Sequence, residues 1–308
     1  AKKALKIVGT GLNKIINKVS PTSIKEKSIY NYTNSIIAID SSILMYKYRY
    51  ASNQDSDDSH LYGFFQRVCF YLKRGILPVF VFDGIPPIAK RQVIDKRVSQ
   101  RHRIEERIKS LKYQIQIKNY STNIGDIESE ITKLNKQITY VTKSHRQECK
   151  YLLRLLGIPI IEANGEAEAM CVALQKNKLV DYTFTEDTDA LTFGAPMVLR
   201  SARKLEKVIE IDLEYLLNEM KLTMDQFIDF CILCGCDYCP TIPKIGPVTS
   251  LNLIKEHGTI ENILNTLPDK YIIPDGFCYQ IARDLFKHEI KLPKYDIFIK
   301  PLQYDKLQ

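Results

Sequence analysis

The chain has 308 residues, with 44 Lys and Arg against 36 Asp and Glu, which gives a formal net charge of +8. Its 45% apolar and 26% charged residues are ordinary for a globular protein and too apolar for a disordered one. No apolar run reaches the roughly 18 residues that a membrane-crossing helix needs, and Ala1-Lys2-Lys3-Ala4-Leu5 lacks the apolar stretch of a secretory signal. Eight Cys are too few for a disulfide scaffold, so they read as reduced thiols of an intracellular protein.

In chain order, the first apolar, β-branched run covers residues 35–40 and ends on Asp40. A polar, acidic loop follows at 52–59, then a helical pattern over 61–73 and a second apolar run that ends on Asp83. Residues 87–143 are long, polar and weakly apolar, broken near Asn119, Asn123 and Gly125. They read as an excursion from the core, as two helices or as a helix and a mobile stretch. Residues 145–156 are helical in pattern. Two further strand-like runs, 158–163 and 181–187, again carry acids at their ends. Apolar strands alternating with helices predict an α/β fold with a twisted, mainly parallel sheet flanked by helices. Sites on such sheets lie beyond the carboxyl ends of the strands, where these acids fall.

The charge is concentrated. Residues 86–118 hold ten basic residues against Asp95, Glu105 and Glu106, a local +7, so the remainder carries only about +1. A solvated charged helix is one reading, and a surface for a polyanion is the other. Pro86-Pro87 suits a helix start. If the helix runs on from there, Lys90, Arg97 and Arg101 form one stripe at i, i+7 and i+11. Arg is also suited to bidentate phosphate contacts.

Seven acids stand out: Asp40, Asp83, Glu166, Glu168, Asp187, Asp189 and Asp237. Singly, each has an ordinary explanation. Asp40-Ser41-Ser42 looks like a helix cap, and Glu166 and Glu168 could complement a helix dipole. Jointly, converging carboxylates stay ionised only beside cations, and hard Mg²⁺ or Mn²⁺ suits an all-oxygen set. Two such ions about 4 Å apart can activate a water and steady the leaving oxygen of a phosphodiester.

Further on, Gly246-Pro247 opens a helical pattern over 248–256 and can present backbone N–H groups to an anion; a structural helix–turn–helix fits equally. Cys231, Cys234, Cys236 and Cys239 have the look of a metal knuckle, but zinc sites separate their halves by a dozen or more residues. They read as small buried hydrophobes on a helix over 227–234.

The motifs AIDSS (38–42), VFDGIPP (81–87), VTKSHRQECKYLL (141–153), GIPIIEANGEAEA (157–169), TEDTDALTFG (185–194), CILCGCDYC (231–239) and IPKIGP together resemble the flap endonuclease family, the structure-specific 5′ nucleases of the XPG type. The likeness runs from about Gly11 to Lys287. It implies a single 5′ nuclease domain over 1–308 with a PIN-like core, a helical arch or cap over 86–143 and a helix–two-turn–helix over 238–265. It also implies a two-metal enzyme that takes Mg²⁺, or Mn²⁺ in its place, and cuts branched DNA with a 5′ single-stranded flap in replication or repair. The seven acids match the family's metal ligands, and Lys90 and Arg97 match its basic pair at the scissile phosphate. Tyr46 matches a base-stacking aromatic and Arg67 a DNA-contacting arginine. Arg101, Gly235, Lys244 and Gly246 fall on further DNA-facing positions, and a K⁺ ion often sits at the helix–two-turn–helix, where Thr241 keeps a hydroxyl.

There are departures. Eight residues precede Gly9. Lys244 stands at the first glycine of the family's Gly-Ile-Gly, and Val248-Thr249 replaces a basic pair. Asn53 replaces an arginine, with Arg49 nearby. Cys234 and Cys236 occupy Leu-like and Ser-like positions. The chain is expected to be monomeric, and nuclear, or cytoplasmic if it serves a cytoplasmic DNA virus. Gln303 is not followed by the aliphatic and paired aromatics of a sliding-clamp anchor, so none is expected here. An exonuclease-type or junction-resolving relative and a non-catalytic DNA-junction binder are the alternatives. Retention of all seven acids speaks against the last.

Overall fold

The computed structural model describes residues 10–51, 58–117, 124–138, 140–292, 297–301 and 303. Gly9 and the residues before it, Asn53, Lys118, Asn119, Asn123 and residues 304–308 lie outside them. The elements run α1 (Thr10–Val19), β1 (Ile24–Ser28), β2 (Ile36–Asp40), α2 (Ser41–Ala51), α3 (Ser59–Leu72), β3 (Leu77–Phe82), α4 (Arg91–Ile117), α5 (Ile124–Asn135) and α6 (Lys143–Leu155). They continue with β4 (Ile160–Glu162), α7 (Ala167–Lys176), β5 (Tyr182–Phe184), α8 (Asp189–Thr192), β6 (Met197–Ser201) and β7 (Lys207–Asp212). Helices α9 (Leu213–Met220), α10 (Met224–Cys234), α11 (Pro247–His257), α12 (Ile260–Thr266) and α13 (Tyr279–Lys287) close the order.

The seven strands form one sheet in the order β1-β7-β6-β5-β2-β3-β4. The pairs β2–β3, β2–β5, β3–β4 and β5–β6 are parallel. Only β7 runs against its neighbours, pairing antiparallel with both β6 and β1. The expected mainly parallel sheet is therefore present, and the four acid-ended runs are β2, β3, β4 and β5.

Side chains alternate across this sheet and sort by size. Ile37, Ile39, Phe80 and Phe82 face one way and pack with Phe64 of α3 and Leu153 of α6. Ala38, Val79 and Val81 face the other way, where Met170, Cys171 and Leu174 of α7 cover them. Strands buried on both faces have no polar side to show, which is why they read as near-continuous apolar runs. The order also brings the carboxyl ends of β2, β3 and β5 side by side.

A third core joins α1 and α10–α13. Its ionic pin is Arg283, which donates Nε to Asp229 Oδ1 at 2.8 Å, Nη2 to Asp229 Oδ2 at 2.8 Å and Nη1 to Glu261 Oε1 at 2.7 Å. Asp229 Oδ2 also accepts the Ile260 N–H at 3.1 Å, so one buried carboxylate ties α10, α12 and α13 together. Removing the arginine leaves that carboxylate unpaired in the core. Arg283→Met is therefore expected to lower stability by about 3 kcal/mol in urea denaturation. A change near zero would mean that water replaces the pair. The hydrogen bond from Arg283 depresses the Glu261 carboxyl from 4.5 to about 2. Its contribution is therefore present above the ordinary value and is lost as the pH falls from 4.5 towards 2.

The 87–143 excursion contains the 27-residue helix α4 and the 12-residue helix α5. Gly125, expected to help break this segment, lies inside α5. One expectation needs correction. The helix does not run on from Pro87: Ile88–Lys90 form a 3₁₀ turn, and α4 starts at Arg91. Two successive prolines hold their own residues at fixed φ and push Pro86 away from the helical region, so a tighter turn intervenes before the α-helix begins.

Candidate metal and nucleic-acid site

The acids gather because three helices begin where the strands end. Asp40 closes β2 and precedes α2, with Oδ1 accepting the Ser42 N–H at 2.9 Å. Glu166 caps the start of α7 without a side-chain cap bond, and Glu168 sits in its first turn. Asp189 begins the short α8. Each helix start favours negative charge. Asp83 follows β3, and Asp237 follows α10 beside the bridge between Cys236 and Cys239. The cap reading of Asp40 and its place in the cluster thus both hold.

Hydrogen bonds join Asp40, Asp83, Asp187 and Asp189 in one network, and Lys90 joins Glu166 to Asp237 in a second. Asp83 Oδ1 accepts the Ala167 N–H at 2.9 Å, and its Oδ2 accepts the Ser42 hydroxyl. Thr185 Oγ1 donates to Asp40 Oδ2 at 3.2 Å and accepts the Asp187 N–H at 3.1 Å. Asp187 Oδ1 accepts the Asp189 N–H at 3.0 Å. Lys90 donates to Glu166, and its Nζ also lies 3.2 Å from Asp237 Oδ2. Arg97 Nη2 donates to both Asp237 oxygens at 3.0 Å. The base of the excursion is fixed by backbone as well: Gly84 N–H donates to Gly165 O at 2.8 Å. A Cβ on Gly84 would lie 2.0 Å from Ala163 O, so only glycine permits this approach.

The electrostatics follow from burial and crowding. Burial, then the Asp83 charge, pushes the Asp40 carboxyl up to about 7. Burial followed by Asp187 and Asp40 raises Glu168 well above the carboxylate range, and burial with Asp187 and Asp237 does the same to Asp189. Burial also raises Glu166, against the pull of Lys90. Burial acts to lower the Lys90 ammonium, but Glu166, Glu168 and Asp237 overcome it and raise it. As the side chains stand, no three acidic, His or Cys groups among the described residues form a metal-holding set; Lys90 and Arg97 supply counter-charge to Glu166 and Asp237 instead. The donor set itself fits hard divalent cations, being all oxygen, largely desolvated and short of positive charge.

The remaining expected residues are less uniform. Tyr46 is exposed on α2. Arg101 lies 5.6 Å from the Tyr140 ring. Arg67 is turned inward, with its guanidinium 5.1 Å from the Phe184 ring and 5.5 Å from that of Tyr71. Gly235 ends α10 at φ 110°, a conformation that favours glycine. Gly246 is the N-cap of α11 with Pro247 first in the helix, and its φ of −107° suits any residue. Lys244 has φ 68°, so a lysine holds the left-handed conformation that glycine takes readily. Lys244→Gly is expected to raise stability by roughly 0.5–1 kcal/mol. It should also reduce the salt slope of duplex binding by about 0.9, the share of one phosphate contact. An unchanged slope would remove Lys244 from the interface.

Ser42, Thr185 and Tyr238 were not singled out by sequence, although Tyr238 donates its hydroxyl to Glu166 and is nearly fully buried. A cavity of about 370 Å³ opens beside Glu166 and Tyr238, walled by Met170, Phe193 and Leu285.

The XPG N-terminal domain matches residues 9–104, and the XPG I-region matches 157–237. Flap endonuclease 1 of Zea mays is 43% identical over 293 residues, which cover 90% of this chain and 74% of the maize protein. The chain belongs to the flap endonuclease family. Flap endonuclease 1 of Danio rerio is 43% identical over 291 residues, 90% of this chain and 73% of the fish protein. Among solved structures, the catalytic core of Rad2 in complex with DNA substrate superposes at a TM-score of 0.73 with 25% identity, covering 94% of this chain and 91% of that one. Flap endonuclease-1 from Methanococcus jannaschii gives 0.66 and 26%, over 92% and 88% of the two chains. All seven acids, with Lys90 and Arg97, fall inside the two matched family regions, whereas Lys244 and Gly246 fall outside them.

In the flap endonuclease family setting, the cysteines keep their structural reading. Cys231 is buried on α10, and its thiol is pushed well above its ordinary value by burial, which opposes the thiolate that zinc requires. Elemental analysis is expected to find no stoichiometric zinc or iron; a full equivalent lost in Cys234→Ala with Cys236→Ser would reverse this.

Proposed function

We propose that this protein is a Mg²⁺-dependent, structure-specific 5′ flap endonuclease with 5′ exonuclease activity that serves DNA replication and repair. The observation that carries the reading is the meeting of seven carboxylates, from the ends of β2, β3 and β5, the start of α7 and the turn after α10, with Lys90 and Arg97 at the foot of the basic helix. Two Mg²⁺ ions, or Mn²⁺ in their place, would supply an activated water and counter-charge for the leaving oxygen of the phosphodiester. Asp40, Asp83, Glu166, Glu168, Asp187, Asp189 and Asp237 would hold them.

The chain's own residues account for the rest. Lys90 and Arg97 hold the scissile phosphate once the acids take up metal and release them. Exposed Tyr46 stacks on a base beside that phosphate, and Arg101 extends the phosphate track along α4. The inward Arg67 braces the strand end at Phe184. Lys244 and the N–H groups at the start of α11 hold the duplex, with the K⁺ ion assigned to the exposed turn at Thr241. Residues 86–143 act as the arch over the flap and 238–265 as the duplex-binding element, within a monomer. The relatives named above support DNA as the partner.

A cleavage assay on flap, nicked, gapped and four-way DNA, with Mg²⁺ and with a chelator, tests the reading. Flap cutting should lead and should vanish with the chelator. Preference for the four-way substrate would favour the junction-resolving alternative, and binding without cutting would favour the non-catalytic one.

A further inference from the structure

Arg200 lies on β6, outside the acidic cluster and outside every motif discussed above. It is only 9% exposed, so its charge is held almost out of water. Its partners come from two directions. Nη1 donates to Asn13 Oδ1 of α1 at 2.8 Å, and Nη2 donates to the main-chain carbonyl of Glu186. The next residue adds to the hold, because Ser201 N–H donates to Glu186 Oε1 at 3.0 Å. Residue 186 is thereby gripped by carbonyl and side chain together, one residue before Asp187. Beyond it the Asp187 N–H donates to Thr185 and the Asp189 N–H to Asp187.

Hydrogen bonding alone does not explain an arginine here. A neutral donor would satisfy the Glu186 carbonyl at a lower desolvation cost. The buried Nε, moreover, has no partner among the described residues. What the guanidinium adds is a fixed positive charge behind a group of carboxylates that repel one another.

We propose that Arg200 is a positioning residue for Asp187: it fixes the Glu186–Asp187 peptide from behind and sets a buried cation against the acidic cluster, so that the metal-binding turn is aimed before any ion arrives. This rests on the reading of Asp187 as a metal ligand. Outer partners of this kind typically change metal affinity by about 10- to 100-fold when removed. Arg200 touches neither substrate nor metal, so its loss should act on ion binding rather than on DNA binding.

The test is calorimetric titration of Mn²⁺ into DNA-free protein, run with thermal unfolding and with single-turnover cleavage across a Mg²⁺ series. Arg200→Lys, which keeps the charge and one donor, should weaken Mn²⁺ binding roughly tenfold and raise the Mg²⁺ half-saturation by a similar factor. Much of the rate should return at saturating Mg²⁺. Arg200→Met should be weaker still; if it fails to fold, Arg200→Lys alone decides. Asn13→Ala cuts only the α1 contact and should change Mn²⁺ affinity by less than about twofold, as for a group with no shared role at the site. A merely structural role would lower the unfolding temperature of Arg200→Lys and leave the Mn²⁺ affinity of the folded protein unchanged, which would overturn the proposal. Asp187→Asn separates the two levels. If it loses Mn²⁺ binding while Arg200→Lys keeps it, the positioning role falls and the ligand reading stands. If Asp187→Asn binds Mn²⁺ as the unmodified chain does, both fall.

Discussion

Asp187→Ala and Asp83→Ala are expected to abolish DNA cleavage while leaving duplex binding measurable. The two acids sit in different parts of one network. Asp187 holds the turn into α8, and Asp83 accepts from Ser42 and from the first residue of α7. As ligands they would position charge that counts only when the phosphodiester breaks. A loss of several kcal/mol of transition-state stabilisation corresponds to about three orders of magnitude or more in rate. Duplex affinity rests mainly on cations at phosphates, which these changes leave in place. Single-turnover rates at saturating Mg²⁺, paired with binding measured in the absence of divalent ions, give the two readouts. Turnover near that of the unmodified chain in either variant would sink the two-metal assignment.

Lys90→Ala and Arg97→Ala should slow the chemical step far more than they weaken binding, by about 2–4 kcal/mol each, or roughly 30- to 1000-fold. The structure adds a second effect for lysine. Glu166 is 8% exposed and bonded to Lys90, so Lys90→Ala leaves a buried carboxylate short of its cation. Tighter Mg²⁺ dependence should follow in Lys90→Ala but less in Arg97→Ala, whose partner Asp237 keeps Lys90 at 3.2 Å. If both residues are only phosphate contacts, affinity and its salt slope fall and the single-turnover rate holds.

The strands that carry the site were legible because their burial on both faces leaves an uninterrupted apolar signature. β2, β3, β4 and β5 announced themselves in this way. β1 did not, because Ile24–Ser28 is an edge strand whose Lys25, Glu26 and Lys27 read as a polar loop. β7 was hidden by a buried acid: Glu210 accepts from the Tyr32 hydroxyl at 2.7 Å and pairs with Lys27 at 2.6 Å, contacts that no local pattern shows. The acidic cluster was legible as a list, since every acid but Asp237 stands at or just past a strand end or at a helix start. Its wiring through Ser42, Thr185 and Tyr238 was not, because those bonds span up to 145 positions of sequence. The half-buried placement of Arg67 was also legible. Arg67 lies in helical phase with Phe64 and Tyr71, both fully buried, and that spacing puts it on the inner face of α3.

The acids from Asp40 to Asp237 are drawn from distant parts of the chain, so synthesis delivers them in order. Asp40 and Asp237 are about 200 residues apart, and chain growth at roughly 5–20 residues per second separates their appearance by about 10–40 s. During that interval a growing chain can pair β2 with β3 before β5 is made, and the Asp237 turn comes last of these. Lys300 N–H, which donates to Gly157 O at 2.8 Å beside the edge strand β4, arrives later still. An unfinished chain of this protein therefore carries six of the seven acids before Asp237, the carboxylate that Lys90 and Arg97 share, has been made.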